Sequence, residues 1–145
     1  MKFLKLSLVV LPLLLTGCAP TVHLSPADGA NSVACAELMV RLSDKVDGHA
    51  RRSTDAQSTA AWGEPAAVIF RCGLPEVTVS KLKCVTEQGI DWLVDDSAAP
   101  SYRFITFGRN PASEVIVDSR AAVGVNVLDE IGTTIQFQEA TKTCG

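Results

Sequence analysis

Apolar side chains dominate positions 6–15, a run interrupted by Pro12 and preceded by Lys2 and Lys5. This run is about half of the roughly 20 residues that a membrane-spanning helix needs. Residues 19–31 then turn to Pro, Ser, Gly, Asp and Ala, the composition of a flexible tether. Helical spacing appears at Cys35, Leu38, Met39 and Leu42, and Asn31 or Ser32 can cap the start, so a first helix is predicted to about Leu42. Residues 43–64 are mostly polar and read as a loop with one short extended piece. A buried strand is predicted at 66–72, rich in Val, Ile and Phe and closed by Gly73 and Pro75.

Two hairpins follow. Residues 84–87 and 90–94 flank Gln88-Gly89, and residues 101–107 and 114–118 flank Gly108-Arg109-Asn110-Pro111. Val123, Val127, Leu128, Ile131 and Ile135 form one apolar stripe, predicting an amphipathic helix within 119–141. Gly124 and Gly132 weaken that helix by about 1 kcal/mol each relative to Ala. The expected fold is α+β: an antiparallel sheet of about four to five strands, two helices packed on one face, stapled by disulfides.

The apolar run ends in Leu15-Thr16-Gly17-Cys18. A basic start, a short apolar core, small residues and then a cysteine form a lipobox, the pattern after which a bacterial lipoprotein is cleaved and Cys18 receives diacylglycerol. A plain secretory signal would want a small-residue cut site instead. The expected division is therefore a signal peptide over 1–17, a tether over 18–31 and a single domain over 32–145. Loss of Lys2 and Lys5 with the leader deepens the net charge from −3 to −5. That balance argues against nucleic acid as a partner, since phosphate backbones need clustered Lys or Arg.

With Cys18 assigned to lipid, Cys35, Cys72, Cys84 and Cys144 form an even set that allows three pairings. No Cys-x-x-Cys or nearby histidine pair suggests zinc, and outside the cytoplasm disulfides are the default.

Candidate chemistry is sparse. Asp91, Asp95 and Asp96 lack the glycine and alternating ligands of an EF-hand loop and read as solvated strand-end carboxylates. His23 lies in the tether and His49 in a loop, with no serine or cysteine motif beside either, so no catalytic residue, metal or cofactor is expected. Arg51, Arg52, Trp62, Arg71, Trp92 and Arg109 remain as a candidate binding surface, because Arg and Trp are enriched at recognition hot spots. The plainer reading makes Trp62 and Trp92 core aromatics and Arg71 an ion-pair partner.

Ala34-Cys35, Arg51-Arg52, Ala61-Trp62-Gly63-Glu64-Pro65, Ile69-Phe70-Arg71-Cys72-Gly73, Gly89-Ile90-Asp91-Trp92 and Phe104-Ile105-Thr106-Phe107 follow the lipobox in order. In this combination the chain resembles a family of small actinobacterial exported lipoproteins, domain of unknown function 3515. The resemblance spans nearly all of the mature chain and implies an envelope protein with no active site to carry over. It also implies pairing of Cys35 with Cys72 and of Cys84 with Cys144; Cys72 with Cys84 and Cys35 with Cys144 is the competing arrangement. The expected function is a non-enzymatic, lipid-anchored module on the extracytoplasmic face of the cell membrane, binding an envelope protein or a small cell-wall-related ligand. The alternative is a small envelope hydrolase or an accessory subunit of a cell-wall enzyme. A deep cleft with perturbed carboxylates would favour the enzyme, and a shallow, mostly apolar groove would favour binding.

Overall fold

The computed structural model describes residues 20–145. The expected signal peptide over 1–17, with its lipobox pattern, and Cys18 lie outside them. Among the described residues no helix is long and apolar enough to cross a membrane.

Ten elements follow in order: α1 Val33–Arg41, β1 Lys45–Val46, β2 His49–Arg52, β3 Thr59–Trp62, β4 Val68–Leu74, β5 Lys83–Glu87, β6 Ile90–Asp95, β7 Ser101–Thr106, β8 Ala112–Asp118 and α2 Gly124–Ile135. All eight strands join one antiparallel sheet in the order β1-β2-β3-β4-β8-β7-β6-β5. The expectation of four to five strands is therefore corrected to eight. The additional strands are β1, β2 and β3, which fall in the stretch read as loop. Lys45, His49, Arg51 and Arg52 carry no strand signature, and Thr59, Ala60 and Ala61 are small, yet β3 is wholly buried between its neighbours. Cross-strand packing, not propensity, decides such a segment.

The sheet's two faces differ. Val68, Phe70 and Cys72 of β4, Val115 and Val117 of β8, Phe104 of β7, and Ile90 and Trp92 of β6 point to one side. Cys35 and Leu38 of α1, Leu42 at its C-cap, and Val127, Leu128, Ile131 and Ile135 of α2 join them in the main core. Ser32 caps α1, its hydroxyl accepting from Cys35 N–H. The helix predicted within 119–141 spans Gly124–Ile135. Val123 is the exposed N-cap, and Gly124 is the first helical residue, where the interior penalty does not apply. The cap hydrogen bond comes from far away: Asp47 accepts from Val123 N–H at 2.7 Å and from the Asn126 side chain at 2.9 Å. Those two bonds, the backbone one first, hold the Asp47 carboxyl below its usual range.

The opposite face is open in its middle and covered at both sides by chain outside the sheet. Residues 20–30, read as a tether, form a strap with defined partners. Val22 bridges Thr54 in parallel, Leu24 N–H donates to Asp55 Oδ1, and Gly29 N–H donates to the Gly73 carbonyl at 2.9 Å. Gly73 lies at φ 110°, and a side chain there would run into the backbone of Gly29 and Ala30. The C-terminal residues do the same at the other side. Thr141 N–H donates to the Gly108 carbonyl at 2.6 Å, and a side chain at Gly108 would collide with the backbone of Lys142.

The disulfides are Cys35–Cys72 and Cys84–Cys144, with Cα separations of 5.6 and 6.4 Å. The first, buried, pins α1 to β4; the second, half-buried, pins the C-terminal tail to the edge strand β5.

Candidate functional site

Between the strap and the tail the open face carries a charged cluster. Arg71 of β4 lies opposite Glu114 of β8, and Arg103 of β7 reaches the same carboxylate diagonally. Oε1 of Glu114 accepts from Arg71 Nε at 2.6 Å and lies 2.5 Å from Arg71 Nη2 in an ion pair, and Oε2 accepts from Arg103 Nε. The Glu114 side chain is 1% exposed, whereas those of Arg71 and Arg103 are 32% and 36% exposed. One buried acid thus orients two guanidinium groups whose outer edges face solvent, leaving a local excess of one positive charge in an acidic chain.

Arg71 and Glu114 floor a hollow of about 450 Å³, with Ile69, Ile116 and Thr59 beside them and His23, Leu24 and Ser25 of the strap as its wall; Arg103 is joined to this floor through Glu114. A second hollow of about 240 Å³ shares Ile69 and Ile116 and ends at Pro100, Asp118 and Arg120. The two form one groove along β4 and β8: cationic at one end, apolar in the middle, and at the far end closed by the Asp118–Arg120 ion pair. The Arg120 hydrogen bonds lower Asp118 to about 2.

Of the six residues singled out from sequence, the structure brings only Arg71 to this groove. Trp62 and Trp92 are fully buried on the helix side. Arg51 is on that side too, donating to the Leu42 carbonyl and lying 5.9 Å from the Trp62 ring centroid. Arg52 is on the open face but is tied to Glu64 at 2.6 Å, the Gly63 carbonyl and the Pro20 carbonyl. Arg109 is 6% exposed, and desolvation lowers its pKa while nearby Asp91 opposes the shift. Arg51, Arg52 and Arg109 are therefore not the exposed charges the sequence suggested. Asp91 accepts from Thr86 and from Cys144 N–H, which makes it a tail clasp. Among the described residues the one grouping of metal-ligand types is Cys84, Asp91 and Cys144, and its two sulfurs are bonded to each other.

A family model described as a protein of unknown function, DUF3515, matches residues 16–144. This chain belongs to the DUF3515 family. No curated protein and no solved structure matches it. For this DUF3515 protein the sequence passed over Glu114, Arg103, Ile69 and Ile116. A signal was present: Phe70-Arg71-Cys72, Tyr102-Arg103-Phe104 and Ser113-Glu114-Val115 each place one charge on the outward face of a strand. Only the strand order, which puts β8 between β4 and β7, makes the three charges neighbours.

Proposed function

We propose that this is an exported lipoprotein of the actinobacterial type, anchored through Cys18 on the extracytoplasmic face of the cell membrane. Its open sheet face binds an extended ligand bearing an anionic group. The observation that carries the binding reading is Arg71 and Glu114 at the floor of an open groove, with Arg103 held beside them by the same carboxylate. A buried carboxylate committed to two arginines suits holding guanidinium groups in place, and a guanidinium with free donors suits carboxylate or phosphate. Ile69 and Ile116 beside it offer apolar contact for the rest of the ligand. The lipobox Leu15-Thr16-Gly17-Cys18 supports the location, and the two disulfides accord with an oxidising compartment.

Thermal denaturation with a diglutamate peptide and, separately, inorganic phosphate tests the binding site. Ligand at 100 times its Kd stabilises a folded protein by about 2.7 kcal/mol. The wild type should show a saturable rise in Tm with at least one probe, and R71A and R103A should lose it. No saturable rise with either probe, or an equal rise in both variants, contradicts the site.

A further inference from the structure

The strap changes what an anchor at Cys18 would do. A 14-residue tether would let the domain wander over roughly 20 Å, at about 5–6 Å times the square root of its length. Instead the chain is already held at Pro20, whose carbonyl accepts from Arg52 Nη2, and Val22 N–H follows by donating to the Ser53 carbonyl at 2.9 Å. His23 Nδ1 lies 2.6 Å from Asp55 Oδ2. Cys18 and Ala19 lie outside the described residues, but two peptide links reach no more than about 7 Å in any conformation.

We propose that the domain lies directly against the phospholipid headgroups of the membrane that holds it, with the side of the sheet at β2 and β3 facing the bilayer. This rests on the lipid anchor proposed above. The strap runs past Arg52 of β2 and Thr54, so this side is nearest to Cys18. The opposite edge strand, β5, is five strand spacings beyond β3, about 24 Å away. Val79, 81% exposed in the loop before β5, therefore points away from the membrane's point of attachment. The wall of the groove, at His23 to Ser25, stands at most about 25 Å of chain from the lipid, so the groove opens close to the headgroups. Glu64 pairs with the same Arg52 that binds the Pro20 carbonyl, so that acid's charge is matched, which limits its repulsion from anionic lipid.

Single-cysteine reporters at T21C and V79C, in the full-length protein expressed in cells, read the orientation. Labelling of spheroplasts with a 5-kDa maleimide-polyethylene glycol should be at least tenfold slower at position 21 than at 79. A 14-residue Gly-Ser insertion after Ala19 should bring the ratio close to one, as should release of the domain by C18S. Intact mass decides whether the anchor itself is present. Equal rates on a protein that carries the lipid mass would overturn the apposition and leave the anchor standing. Absence of lipid from Cys18 would overturn both. Slow labelling of position 21 in the released domain as well would trace the effect to the fold and also overturn the apposition.

Discussion

Replacing Glu114 by Gln keeps the volume of the side chain and removes its charge, so it isolates what the carboxylate does for the groove. The carboxylate accepts two charge-assisted hydrogen bonds, one from Arg71 Nε and one from Arg103 Nε, and Arg71 Nη2 adds an ion-pair contact. Such bonds contribute about 1.5–3 kcal/mol each in net terms, and breaking a buried pair from one side costs about 3–5 kcal/mol. Both guanidinium groups are about one-third exposed, so water replaces part of what they lose. The expected loss for E114Q is therefore about 2–4 kcal/mol. For a domain of this size that is a fall in Tm of about 10 °C, followed by near-ultraviolet circular dichroism with the disulfides intact. The buried Trp62 and Trp92 supply the signal. R71A and R103A should each lose less, about 1–2 kcal/mol, because Glu114 keeps its other partner. Since all three side chains meet at one carboxylate, E114Q combined with R103A should depart from additivity by at least about 0.5 kcal/mol. A Tm for E114Q within 2 °C of wild type, or strict additivity, would refute the claim that Glu114 organises the two arginines.

Three further outcomes follow from the same structure. D47A should cost about 1 kcal/mol by uncapping α2, with D47N recovering most of it, as read by denaturant midpoints; equal midpoints for D47A and wild type would remove the remote cap. Under graded reductant, peptide mapping should find the half-buried Cys84–Cys144 bond open before the fully buried Cys35–Cys72 bond, and the reverse order would contradict the burial argument. Asp47, Asp55, Asp95 and Asp118 all have lowered pKa values in the fold, so each stabilises above the unfolded value near ~3.9 and loses that effect as pH falls through its folded value. Carbonyl-detected NMR should place the Asp118 midpoint at about 2, and R120A should return it toward the ordinary range; an ordinary midpoint in the wild type would dissolve that ion pair.

Much of the fold is legible where one physical signal dominates. Ser32 before a helical repeat marks the start of α1, and Gln88-Gly89 between two short apolar runs marks the turn from β5 to β6. The misses share a cause: the deciding contact is distant in sequence. β3 is Thr-Ala-Ala-Trp and becomes a strand because β2 and β4 flank it. Residues 20–30 look like linker because their partners, Thr54, Asp55 and Gly73, are backbone or turn groups with no apolar signature. The groove was hidden for the same reason. Arg71 was visible as half of an ion pair, but its acid lies 43 residues away, and Arg103 joins only through the β7–β8 pairing.

The central claim is that Arg71, with Arg103 joined to it across Glu114, gives the groove an anion-binding end, and the most direct measurement follows the Nε–Hε NMR resonances of the arginines during titration with the diglutamate peptide and with phosphate. The account predicts saturable shifts at Arg71 and Arg103 with at least one probe, while Arg120, occupied by Asp118, stays still. Shifts of equal size at every exposed arginine, or none at Arg71 and Arg103, would contradict it.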